Sequence, residues 1–261
     1  MTEAIARVEG GGRLWYERDG EGFPVVLIHP RLFDARIWDD QFEEFSKHHD
    51  VVRYDVRGHG RSDPPVAPYS NLRDLRGLLD ELDIPRCALV GCAAGAQLAI
   101  DFALAHPDVT DAVVAESPGL TGYRWSDPGL EELAEEVDRA IREGDLAGAI
   151  DVELAVWAPT SAAADPRVRA VALENAEVLR MAGSLLEEPP SAVAHLGEVQ
   201  AATLVVVGHR DLGEIHTIAD LIASHVPGAS KRLVAEADQL VNVAKAERFN
   251  RLVLDFLSFR M

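Results

Sequence analysis

The chain has 261 residues, 48% hydrophobic and 26% charged, with a formal net charge of −19. No basic cluster is present to release counterions from phosphates, so nucleic acids and anionic membranes are excluded as expected partners; small molecules are the expected ligands, and a homodimer stays open. The N-terminal MTEAIARVEGGG lacks the apolar run of a secretory signal, no segment is apolar over the roughly 18 residues a spanning helix needs, and Cys87 and Cys92 lie on one short segment that cannot build a disulfide framework, so a cytoplasmic location is expected.

Near the N-terminus, ARVEG and RLWYERDG with glycines between them read as an antiparallel hairpin at a sheet edge. Four apolar runs of strand length follow, at 25–29, 51–55, 87–91 and 111–117, each pair separated by a helix-length stretch. That alternation predicts a mostly parallel sheet with helices on both faces. From 121 to 198 the strands stop, and DPGLEELAEEVDRAIREGD and DPRVRAVALENAEVLRMAG show helical spacing with aspartate-proline starts and glycine ends. This segment is expected to be a helical cap inserted between two parts of one α/β core, 1–120 and 199–261. The sheet resumes at 203–208 and 231–236, and AKAERFNRLVLDFLSF closes the chain as an amphipathic helix, for eight strands in all.

The stretch LVGCAAGA, residues 89–96, ends one apolar run and opens a helix, with Gly91 and Gly95 four apart and Ala93 midway. Here the sequence resembles the α/β-hydrolase superfamily, in its capped, esterase- and epoxide-hydrolase-like form. LIHP followed by DARIWDDQF is similar to the family's oxyanion loop and first helix, DVRGHGRSD to its D-x-R-G-x-G-x-S turn, and LVGCAAGAQLAIDFALAHP to its nucleophile elbow and following helix. VVVGHRD and EADQLVNVAKAERFNRLVLDFL complete the order. The resemblance implies an α/β-hydrolase fold with a serine on the strained strand-to-helix turn, an acid after the seventh strand and a histidine after the last.

Three of those positions depart from the pattern. Ala93 stands where the nucleophile belongs. Asp211 matches the acid, but Gln239 occupies the histidine position, and an amide takes no proton near neutral pH. In the oxyanion segment the usual His-Gly is His29-Pro30, and proline has no N–H to donate. The resemblance places the two oxyanion donors at the backbone of Arg31 and Ala94, with the Arg31 charge either near the pocket or in solvent.

An ionisable group at the C-terminal edge of the sheet would have to replace the lost histidine, and His29, Glu116 and Asp211 are the candidates. Each also has a plainer reading: His29 as a packing group behind the oxyanion loop, Glu116 as a salt-bridged carboxylate, Asp211 as a solvated loop residue. Asp211, no longer orienting a histidine, is expected to face the Gln239 amide. Cys92 reads as a buried structural thiol, and His59, His209 and His216 as turn or packing residues. Tyr123, Trp125 and Trp157 lie at the start of the cap and within it, where they line a substrate pocket or fill the core. The histidines show no metal-ligand spacing, and neither metal nor cofactor is expected. Three functions fit: an enzyme turned to non-hydrolytic chemistry, an esterase- or lactonase-like serine hydrolase whose serine 93 was changed to alanine, and a non-enzymatic ligand-binding protein.

Overall fold

The strands run β1 (Thr2–Arg7), β2 (Arg13–Asp19), β3 (Pro24–Ile28), β4 (Asp50–Tyr54), β5 (Cys87–Cys92), β6 (Thr110–Glu116), β7 (Ala202–Gly208) and β8 (Ser230–Val234). In the computed structural model, which describes residues 1–181 and 185–258, they form one eight-stranded sheet in the order β1-β2-β4-β3-β5-β6-β7-β8. β1 pairs antiparallel with β2, and β2 antiparallel with β4. Every other pairing is parallel. The expected eight-stranded, mostly parallel α/β-hydrolase sheet with an antiparallel hairpin at one edge is therefore present.

The central strands are covered on both faces, which is why Val25–Ile28 and Cys87–Cys92 read as unbroken apolar runs with every residue buried. On one face lie α2 (Asn71–Glu81), α3 (Ala94–Ala105) and α8 (Gly213–His225), packed over Val26, Ile28, Leu89, Val113 and Val205. On the other lie α1 (Asp39–Phe45), α9 (Val241–Ala244) and α10 (Ala246–Ser258), over Val25, Leu27, Val90, Val114 and Val206. β8 leaves Arg232 toward solvent and pairs Lys231 with Asp220 of α8 at 2.7 Å, charges that blunt an exposed strand edge.

Between β6 and β7 the chain forms α4 (Pro128–Glu143), α5 (Leu146–Trp157), α6 (Pro159–Ala164) and α7 (Pro166–Glu174). The aspartates at their starts act as N-caps: Asp127, Asp145 and Asp165 accept from the N–H groups of Gly129, Gly148 and Arg167, each at 2.8 Å. Gly144 ends α4 with φ 81°, a conformation open to glycine at little cost. Among the described residues no helix is long and apolar enough to cross a membrane.

Candidate active site

β5 hands over to α3 through a single residue, Ala93, with φ 49° and ψ −109°. A side chain in that region costs on the order of 1–3 kcal/mol, so the surroundings must hold it. They do so through the backbone: Ala93 N–H donates to the Glu116 carbonyl at 2.9 Å, while its own carbonyl accepts from Gln97 and Gly119 at 3.0 and 3.2 Å. The two glycines are demanded by contact rather than by φ. A Cβ on Gly91 would overlap the Gly95 carbonyl, and one on Gly95 would overlap the carbonyl of Ile28. The turn that normally presents a nucleophile is thus built in full, with a methyl group at its apex.

His29 supports the neighbouring loop rather than the cavity. Its Nε2 accepts from Val56 N–H at 2.9 Å, so the ring proton sits on Nδ1 and donates to the Pro30 carbonyl, also at 2.9 Å. Burial pushes its pKa down to about 3, keeping the ring neutral. Phe33 N–H donates to the same Pro30 carbonyl at 3.1 Å. Across a trans peptide the N–H points opposite to the C=O, so fixing the Pro30 oxygen also fixes the direction of Arg31 N–H. His59 Nε2, 2.7 Å from the Arg31 carbonyl, pins the next peptide.

Asp211 and Gln239, which the resemblance matches to the acid and the histidine, make no hydrogen bond to each other. Asp211 Oδ1 accepts from Leu212 N–H at 3.2 Å, Oδ2 has no partner, and the expected contact with the Gln239 amide is not made. Burial pushes its pKa up to about 7, opposed chiefly by the nearby Ser117 hydroxyl. A neutral amide supplies no positive charge to hold the carboxylate ionised, so desolvation wins. Asp238, beside Gln239, serves the helical segment instead: it accepts from the N–H groups of Thr160 and Ser161 at 2.7 and 2.9 Å and from the Ser161 hydroxyl at 2.5 Å.

Glu116 does not face the crevice, contrary to expectation. Side chains alternate along β6, and Glu116 shares the face of Ala112 and Val114, where it is fully buried and accepts from Asn242 N–H at 2.7 Å. Desolvation raises its pKa well above the carboxylate range, and the same cause raises that of Cys92, a buried thiol 3.7 Å from the Gln239 carbonyl. The next residue, Ser117, does line the crevice.

A cavity of about 200 Å³ lies over the apex. Ala93, Ala94, Gln97, Ser117 and Gln239 form its floor side, Pro30, Arg31 and Phe33 one wall, and Trp125, Glu153 and Trp157 the wall from the helical segment. Trp125 meets Tyr123 and Trp157 edge-on, at ring separations of 5.6 and 6.2 Å. Trp125 and Trp157 touch the cavity; Tyr123 only buttresses Trp125, and neither Asp211 nor Glu116 is in the lining. Arg31, Trp125, Glu153 and Trp157 also line a second cavity of about 370 Å³ running along α4.

Sequence reasoning missed Glu153. It projects from α5 on the face of Ala149, Ile150 and Trp157, is 5% exposed, and its Oε1 accepts from Arg31 Nη2 at 2.5 Å. The signal was available: an acid at the i+3 and i+4 spacing of an otherwise apolar helix stripe is out of place unless partnered.

A model of the alpha/beta hydrolase family matches residues 25–252. Over 98% of its length the chain is 28% identical to a 2-hydroxy-6-oxononadienedioate/2-hydroxy-6-oxononatrienedioate hydrolase of Paraburkholderia xenovorans, of which 96% is covered. A Bacillus subtilis protein provisionally named a 2-succinyl-6-hydroxy-2,4-cyclohexadiene-1-carboxylate synthase is 26% identical, with 90% of each chain covered. In structure the chain is similar to an enol-lactonase of Burkholderia xenovorans, with a TM-score of 0.81, 25% identity, and 98% of this chain and all of that one covered.

Proposed function

The chain belongs to the alpha/beta hydrolase family, and from that premise we propose that it is an enzyme which uses the family's pocket without covalent catalysis, carrying out proton transfer, elimination, cyclisation or rearrangement on a small organic molecule. The observation that carries this reading is the apex itself: the strained turn is kept, while Ala93 and Gln239 remove nucleophile and base together. Residues 121–198 act as the cap over the cavity, and the reaction runs in the cytoplasm without a cofactor. The N–H groups of Arg31 and Ala94, which make no hydrogen bond to protein among the described residues, are the donors for a developing oxyanion. Support for a carbonyl or enol substrate comes from relatives named for a 2-hydroxy-6-oxo acid and an enol-lactone.

A second reading, a hydrolase disabled at position 93, is favoured by the retained strain of a turn that serves to present a hydroxyl. Restoring the hydroxyl separates the two. Ala93→Ser should raise p-nitrophenyl acetate hydrolysis by less than about tenfold, because no base accepts its proton, and Ala93→Ser with Gln239→His should hydrolyse weakly. Strong esterase activity, or labelling by an organophosphonate, from the single change would establish the disabled hydrolase instead.

A further inference from the structure

Glu153 is the single acidic side chain in the lining of the Ala93 cavity among the described residues. One carboxylate oxygen is held by Arg31; the other, Oε2, is closed off from solvent and has no hydrogen-bond partner. A buried carboxyl oxygen without a donor is costly and marks a place where a donor is missing. Its position is fixed by Arg31 across 122 residues of sequence, and Arg31 brings its own backbone N–H to the same cavity. An acidic acceptor, its cation and the residue that carries an oxyanion donor thus share the lining of the cavity that Ala93 also lines.

We infer that Glu153 is the catalytic base, removing a proton from the carbon beside a substrate carbonyl whose oxygen rests against the N–H groups of Arg31 and Ala94. This rests on the non-hydrolytic reading above. In the step the C–H bond breaks, its proton forms an O–H bond on the Glu153 carboxylate, and the electron pair forms a C=C bond as the carbonyl becomes an enolate. Where the ketone carries a β,γ C=C bond the proton then returns to the γ carbon, giving the conjugated isomer; where it carries a leaving group on the β carbon the enolate expels that group with its bonding electrons, giving an α,β-unsaturated ketone. No oxidant or reductant enters. Negative charge moves from Glu153 to the enolate while the Arg31 guanidinium stays beside both, so the charge that steadies the ground state also steadies the intermediate. Because the Arg31–Glu153 pair is neutral overall and the other walls are Leu32, Phe33, Leu154, Trp125 and Trp157, the substrate class is an uncharged or weakly polar ketone.

Cyclohexanone, a neutral ketone small enough for the cavity, is the probe, and exchange of its α-hydrogens in D₂O is followed by proton NMR. The parent protein should accelerate exchange over buffer, Glu153→Gln should lose that acceleration by about 10²-fold or more, and Glu153→Asp, with its carboxylate drawn back, should fall between them. Thermal melts of both variants check folding, and if Glu153→Gln does not fold, the Asp variant carries the comparison. Exchange in the parent that survives either substitution overturns the role of Glu153 while leaving the non-hydrolytic reading standing, and a parent no better than buffer overturns the role as well. Failure of the broader reading shows separately, as esterase activity of Ala93→Ser.

Discussion

The elbow between β5 and α3 and the loop after β8 both border the cavity over Ala93, yet they are held in place by different things. At the elbow the contacts are between backbones: Gly91 against Gly95, Gly95 against Ile28, Ala93 N–H to the Glu116 carbonyl. None of them consults the side chain at the apex, so the turn survives with alanine there. In the loop after β8 the positions are held by side chains and the partners they reach. Gln239 lines the cavity with nothing to titrate, and Asp238 is committed to Thr160 and Ser161. Geometry at the elbow is set by the backbone whatever the side chain at 93; geometry in the loop after β8 depends on the side chains themselves.

The sharpest way to break that contrast is to add one methyl group to the elbow. Gly95→Ala would ordinarily stabilise a helix by up to about 1 kcal/mol. Here the new Cβ meets the rigid Ile28 carbonyl, and we expect the urea midpoint to fall by the equivalent of about 3 kcal/mol.

A smaller loss is expected in the loop after β8. Asp238→Ala removes the acceptor for three N–H groups and a hydroxyl, at a cost of about 2 kcal/mol. Amide hydrogen exchange should quicken at 159–164 while the elbow amides keep their protection, since the loss is confined to the junction with α6.

The mildest effect concerns pH. Asp211 ionises near 7 when folded and near 3.9 when unfolded, so between those values the folded state holds a proton that the unfolded state has released. Its contribution to stability is therefore full at the acid end, declines as pH rises toward 7, and is level above it. Asp211→Asn should remove that part of the slope, leaving the variant relatively more stable at pH 8 than at pH 5 in urea titrations. Solvent reaches part of the side chain, so screening keeps the difference modest.

The order of elements was legible in the sequence because it depends on short-range pattern. Apolar runs of strand length, aspartate-proline helix starts and the spacing of Gly91 and Gly95 each record a local backbone demand. The place of Gln239 beside the cavity was legible for the same reason, since it follows from chain order. The direction of side chains at element ends was not. Glu116 and Ser117 are adjacent, and only the pleat of β6 against its neighbours decides that the serine meets the cavity while the glutamate is buried behind it.

Position 29 teaches the same point. Its place at the end of β3 was clear, but two ring nitrogens can be spent on backbone or on substrate, and the Val56 and Pro30 contacts that claim them come from the packed loops. Glu153 lies farther still from any local signal. The apolar spacing of Ala149, Ile150, Leu154 and Trp157 matches the buried face of α5, a helix not singled out in the sequence beyond its place in the cap. That a carboxylate on that face would stand over Ala93 was decided by the folding of α5 back onto the loop after β3, where Arg31 supplies the charge that a buried acid requires.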